Sequence, residues 1–137
     1  MNVTDLVGEP KGLLKILLVE DDKLIADLMV RRLQKAHYQV IHTDNGQDAV
    51  QLAEVQLPDL IVMDIRLPIM DGWEATEHIK AAMNTKHIPV IALTAQASIL
   101  DRRRSLAAGC DCYLPKPVQF PVLLKEIEAL LKKTPHG

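Results

Sequence analysis

Three carboxylates, a hydroxyl and an ammonium stand where one pocket could be built from them. Glu20-Asp21-Asp22 follows the apolar run Ile16-Leu17-Leu18-Val19, Asp64 follows Leu60-Ile61-Val62-Met63, and Thr94 follows Val90-Ile91-Ala92-Leu93; Tyr113 and Lys116-Pro117 come later. A polar residue after each run is what several strands produce when they end at one edge of a sheet. Glu20, Asp21 and Asp64 brought together would repel one another and resist ionisation unless a cation joined them. Mg²⁺ takes oxygen ligands and pairs one or two carboxylates with phosphate oxygens, so this donor set points to Mg²⁺ rather than Zn²⁺. Facing a metal, Asp64 becomes a candidate nucleophile toward a phosphoryl group. Lys116 would neutralise charge on Asp64 and on the incoming oxygens, and the Thr94 hydroxyl could donate to one of them. Such catalysis is positioning and charge neutralisation around an in-line transfer.

Each piece also has a plainer use. Acids favour the first turn of a following helix, and Asp22 is expected to do only that. A lone Asp after a strand is usually a turn residue. Lys116 lies between Pro115 and Pro117, which force an extended turn. A cis Lys116-Pro117 bond would aim the ammonium into the pocket; a trans loop would leave it solvated.

The elements that position these residues alternate along the chain. The run 16–19 suits a strand buried on both faces. From Asp22 to Ala36, Leu24, Ile25, Leu28, Met29 and Leu33 form a stripe at helical spacing. Residues 39–43 are a second strand candidate, and Asp44-Asn45-Gly46 is turn and cap chemistry opening a helix through about Glu54. Strands are expected at 60–63 and 90–93. Trp73 to Met83 is a helix after the breakers Pro68 and Gly72. Ser98 to Ala108 is a helix with Gly109 as its C-terminal cap, and Cys110 to Leu114 is a fifth strand. Phe120 to Lys132 is an amphipathic helix with Val122, Leu123, Ile127, Leu130 and Leu131 facing in. Five strands alternating with five helices make an α/β, doubly wound parallel sheet, whose ligands bind beyond the carboxyl ends of its strands. Residues 1–14 form a flexible leader, 15–133 the single domain and 134–137 a tail.

The 137 residues suffice for one core without disulfides or metal staples. A net charge of −2 gives no reason to expect nucleic-acid binding. Cys110 and Cys112 are read as reduced thiols, because two residues apart in a strand they are badly placed for a bridge. The start of the chain lacks a signal peptide pattern, and no apolar run reaches the ~20 residues of a membrane helix. A soluble, cytoplasmic protein is expected.

Together the pieces resemble the receiver domain of two-component response regulators. The likeness runs from about Lys15 to Lys132. It rests on residues 16–22, on Met63-Asp64-Ile65-Arg66-Leu67-Pro68-Ile69-Met70-Asp71-Gly72, on Leu93-Thr94-Ala95 and on Tyr113-Leu114-Pro115-Lys116-Pro117. The intervals of 43 residues from Asp21 to Asp64, 30 to Thr94 and 22 to Lys116 bind these weak motifs into a strong one. The resemblance implies a flavodoxin-like strand order 2-1-3-4-5. It implies that Asp64 accepts a phosphoryl group from a histidine kinase or a histidine phosphotransfer protein. Asp21, Asp64 and the Arg66 backbone carbonyl would bind Mg²⁺, with Glu20 acting through water. Thr94 and Tyr113 would form the switch pair. Arg66 and Gln96 occupy the positions that tune phosphoryl lifetime; neither is acidic, and slow self-dephosphorylation is expected.

The signal is expected to leave by the face of the Ser98–Ala108 helix, the Cys110–Leu114 strand and the final helix. Asp101-Arg102-Arg103-Arg104 there is either a solvated basic face or a patch for an acidic partner. Cys112 and Val122 replace the acids that DNA-binding members use to dimerise, so a monomer without direct DNA binding is expected. The leading reading is a stand-alone chemotaxis-receiver-like switch, not a turnover enzyme. The alternatives are a receiver cut from a hybrid histidine kinase, a phosphorylation-independent binding module, and an aspartyl phosphatase. The last is opposed by Arg66, which stands where such enzymes place a second Asp.

Overall fold

The computed structural model describes residues 12–95 and 98–133. Most of the expected leader, the tail 134–137 and Gln96 lie outside the described residues. The elements are β1 (Lys15–Val19), α1 (Lys23–Lys35), β2 (Gln39–Thr43), α2 (Gly46–Gln56), β3 (Leu60–Asp64), α3 (Gly72–Ala81), β4 (Val90–Thr94), α4 (Ile99–Ala108), β5 (Cys112–Pro115) and α5 (Phe120–Lys133). All strand pairs are parallel, in the order β2-β1-β3-β4-β5, as expected for the doubly wound class.

Side chains alternate across the sheet, and the core divides accordingly. Leu17, Val19, Ile61, Met63, Val90 and Ala92 meet Ala49 and Ala53 of α2 and Ala75 and Ile79 of α3. Ile16, Leu18, Leu60, Val62, Ile91 and Leu93 meet Ala26, Met29 and Leu33 of α1 and Leu123, Ile127 and Leu131 of α5. Every residue of β3 and β4 is buried, which is why those runs are apolar up to their last residue. Burial of this kind contributes about 25 cal/mol per Å² of apolar surface.

Four helices start on a side-chain cap. Asp22, Asn45, Asp71 and Ser98 accept from the backbone N–H groups of Ile25, Asp48, Glu74 and Asp101 at 3.1, 2.8, 2.8 and 3.0 Å, satisfying donors that helix ends leave open. Gly109 caps α4 with φ 103°, a conformation in which a side chain is strained.

Several expectations need correction. Leu24, Ile25 and Leu28 are 81, 43 and 54% exposed; the buried stripe of α1 is Ala26, Met29 and Leu33. Alanine adds little to an apolar pattern, so the larger neighbours drew the stripe to the wrong face. Val122 is also exposed, while Leu130 is partly buried against the core. Helix α3 covers Gly72–Ala81, ending earlier than Met83. β5 starts at Cys112 rather than Cys110, because Cys110 N–H still donates to Ser105 O at the end of α4. Both cysteines are free thiols. Burial pushes each up to about 11.

Candidate functional site

Strand register assembles the site. Val19 lies beside Met63, so Glu20 and Asp64, one residue further along each strand, come together. Asp64 lies beside Leu93 and Thr94 beside Pro115, which brings Lys116 to the same edge. Lys116 N–H donates to Thr94 O at 2.7 Å, and the Lys116-Pro117 bond is cis. Lys116 Nζ donates to Asp64 Oδ2 at 2.9 Å and lies 3.3 Å from Glu20 Oε1. The Arg66 backbone N–H donates to Asp64 Oδ1 at 3.2 Å. Asp64 is 3% exposed, so both its oxygens are held at the floor of the site.

Carboxylate oxygens of Glu20, Asp21 and Asp64 all lie within 4.8 Å of one another. Glu20 is 1% exposed. Its Oε2 accepts from Asp22 N–H at 3.1 Å, while among the described residues its buried Oε1 is met only by the Lys116 ammonium at 3.3 Å. Burial pushes the Glu20 carboxyl above the ordinary carboxylate range; the Asp64 charge adds to this, and the Asp22 N–H and Lys116 only partly offset it. Three carboxylates sharing one ammonium leave an excess of negative charge, which a hard cation relieves. The residues present therefore fit a divalent cation of the Mg²⁺ type. Burial alone would lower the Lys116 pKa, but hydrogen bonds and charge from Asp64 and Glu20 hold it above its ordinary value.

Around this centre the structure places the other expected residues unequally. Thr94, 5% exposed, lines a cleft of about 420 Å³ with Ile65, Arg66, Leu67, Asp71, Trp73 and Asp101. The Arg66 side chain is exposed. Tyr113 is half-buried and lines a different groove, with Ile99, Arg102 and Leu106. Arg102, Arg103 and Arg104 are exposed, but the Arg104 guanidinium sits 4.7 Å from the centre of the Trp73 ring. The basic run is thus partly committed within the fold.

Gly72 is a support that motif reading did not explain. A Cβ there would collide with the Asp64 carbonyl oxygen and lie 2.8 Å from Ile65 Cα, so only glycine lets α3 press against the end of β3. A second omission is a groove of about 580 Å³ lined by Ile25, Leu28, Met29 and Arg32 of α1 with Ala95, Pro117, Val118 and Phe120, into which Glu20 and Lys116 also look. The available signal was that α1 carries more large apolar residues than one buried stripe can use. No helix among the described residues is long and apolar enough to cross a membrane.

Known proteins are similar to this chain in sequence and fold. The polar-differentiation response regulator DivK of Brucella anthropi is 39% identical over 116 residues, covering 85% of this chain and 94% of DivK. The receiver domain of sensor histidine kinase PA1611 from Pseudomonas aeruginosa PAO1 was solved with a magnesium ion coordinated in its active site cleft. It is 38% identical, with a TM-score of 0.83 over 89% of this chain and 100% of that one. The chemotaxis protein CheY4 of Vibrio cholerae is 28% identical, with a TM-score of 0.82 over 87% of this chain and 99% of that one. The family model of the response regulator receiver domain matches residues 16–128, which is nearly the whole described sheet and its helices, and the chain belongs to that family.

Proposed function

We propose that Asp64 is the phosphoacceptor of this response regulator receiver domain in phosphorelay signalling, and that Lys116 and Thr94 assist the transfer. The observation that carries this reading is the convergence of Glu20, Asp21 and Asp64 with an ammonium 2.9 Å from Asp64 Oδ2. An Asp64 oxygen attacks the phosphorus of a protein phosphohistidine. The new O–P bond forms as the P–N bond breaks, and the imidazole leaves with the bonding pair and takes a proton from solvent. Asp21, Asp64 and the Arg66 carbonyl would hold Mg²⁺, with Glu20 acting through water. Mg²⁺, when bound, supplies positive charge to the phosphoryl oxygens. Lys116 supplies more, and the Thr94 hydroxyl donates to one oxygen as charge moves onto the acceptor. Water later attacks the phosphorus and restores the carboxylate. Arg66, at the rim of the cleft, and Gln96 set how fast that happens; a bulky Arg66 slows it. The domain, residues 15–133, is a switch and not a turnover enzyme.

Two surfaces serve the switch. The apolar α1 groove opens beside Asp64's partners Glu20 and Lys116, a position suited to the protein that brings the phosphohistidine. Tyr113 joins Thr94 in the switch pair. Its groove between α4 and β5 exposes Ile99 and Leu106, which are 71 and 58% exposed, and the face of α4, β5 and α5 carries the output to a downstream protein. The same site chemistry serves a free regulator or a receiver belonging to a kinase such as PA1611.

The test is phosphate incorporation from acetyl phosphate, with Mg²⁺ or with EDTA, into wild type and Asp64→Asn. A Mg²⁺-dependent, hydroxylamine-labile adduct present in wild type and absent from the variant supports the reading. A folded wild type that takes up no phosphate would replace it with a phosphorylation-independent binding module. Sustained hydrolysis of an unactivated phosphate monoester, which a receiver does not use as a donor, would replace it with a phosphatase.

A further inference from the structure

Helix α4 is held to the domain by very little. It buries only Ser105 and Ala108, both small. By contrast α1 buries Met29 and Leu33, and α5 buries Leu123, Ile127 and Leu131. Ile99, Leu100 and Leu106 of α4 are exposed. An element with few buried apolar contacts opens at a small fraction of the global unfolding free energy. A side-chain attachment of α4 comes from α3. Trp73 Nε1–H donates to Ser105 Oγ at 2.9 Å, and Arg104 covers the face of the same ring. The ring is half-buried and packs on the core beneath. It also lines the cleft that holds Thr94. One side chain therefore touches α4 and borders Thr94, whose hydroxyl is proposed to donate to the phosphoryl group.

We infer that Trp73 is a latch on α4: by gripping Arg104 and Ser105 it holds α4 in the unphosphorylated arrangement, and it sets how much work the phosphoryl group must do to move that helix. This rests on Asp64 being the phosphoacceptor. If the grip exists only in the unphosphorylated arrangement, weakening it shifts the equilibrium toward the other one. A phosphoryl mimic then binds more tightly by the same factor. The neutral Trp73–Ser105 hydrogen bond accounts for about fivefold. The exposed cation–ring contact accounts for about two- to fivefold.

The experiment uses Trp73, the chain's single tryptophan, as its own reporter. Wild type, Arg104→Met and Ser105→Ala are titrated with beryllofluoride in the presence of Mg²⁺ while tryptophan fluorescence is followed, and each is melted alone. Wild type should show a saturable change, with half-saturation about fivefold lower in Ser105→Ala and two- to fivefold lower in Arg104→Met. Arg104 is on the surface, so that variant keeps the test open if Ser105→Ala folds poorly. Variants that melt earlier but titrate as wild type does would reduce Trp73 to a structural contact and overturn the latch. Weaker binding in the variants would overturn it too, by showing that the grip belongs to the phosphorylated arrangement. A wild type that neither binds beryllofluoride nor accepts phosphate would instead overturn the assignment of Asp64, and the latch with it.

Discussion

Lys116 Nζ lies 2.9 Å from Asp64 Oδ2, although 52 residues separate the two along the chain. The same ammonium lies 3.3 Å from Glu20 Oε1. One cation thus serves two buried acids, and its own charge is held in place by them. Charge balance at the site is a property of this cluster and not of any one residue.

Lys116→Met should therefore act on stability and chemistry together. Breaking a fully buried pair costs about 3–5 kcal/mol; with the lysine side chain 23% exposed, a loss of about 2 kcal/mol is expected in urea denaturation without metal. Mg²⁺ should restore part of it. The initial rate of phosphorylation by acetyl phosphate should fall about 100-fold, the usual cost of removing one preorganised charge donor. A variant as fast as wild type would remove Lys116 from the transfer.

Glu20→Gln should make the metal-free domain more stable at neutral pH. The folded-state pKa of Glu20 is raised above the ordinary 4.5 of a glutamate, chiefly by burial. The stabilisation linked to its proton is thus complete below about 4.5 and lost as pH rises through the raised value. At pH 7 the wild type carries the cost of a buried charge that glutamine avoids. The advantage of the variant should shrink as pH falls toward 4.5, and Mg²⁺ should reverse it at pH 7 by stabilising wild type more. Denaturation curves at several pH values, with and without Mg²⁺, measure all three.

Gly72→Ala should disturb the end of β3. The new methyl would meet backbone at Asp64 and Ile65, which cannot swing aside as a side chain can. A loss of about 2 kcal/mol is expected, together with slower phosphorylation, because Asp64 must shift to make room. Thermal melting and acetyl phosphate kinetics on one preparation test both effects.

Ile25→Ser with Leu28→Ser should leave stability within about 0.5 kcal/mol per site, since both side chains line the α1 groove and are exposed. Leu33→Ala on the buried face should cost about 3 kcal/mol. The double variant should keep its rate with acetyl phosphate but lose transfer from a phosphohistidine protein, which needs the α1 groove. Equal loss with both donors would mean that the groove does not select the protein donor.

The sheet was legible from the chain because its signals are local. Four-residue aliphatic runs at 16–19, 60–63 and 90–93 can satisfy only strands covered on both faces. The polar residue after each run follows from where those strands must end. Asp22 as a cap and Gly109 as a helix stop were equally local, since each acts on backbone a few residues away. The spacing of Asp21, Asp64, Thr94 and Lys116 carried the family, and the family matches residues 16–128.

Other features depended on which face a helix turns inward, and periodicity alone did not settle that. Leu24, Ile25 and Leu28 look like core until Ala26 is seen at the contact with the sheet. The grip of Trp73 on Arg104 and Ser105 links α3 to α4 across 32 residues in its hydrogen bond, and nothing in either segment alone announces it. The sharing of Lys116 between Glu20 and Asp64 is likewise a tertiary fact. The chain by itself determined the strands, the caps and the order of the reactive residues, because these follow from neighbours in sequence. Only the packed structure decided which apolar residues face solvent and which charges share a partner, because those depend on distances between segments that local sequence does not encode.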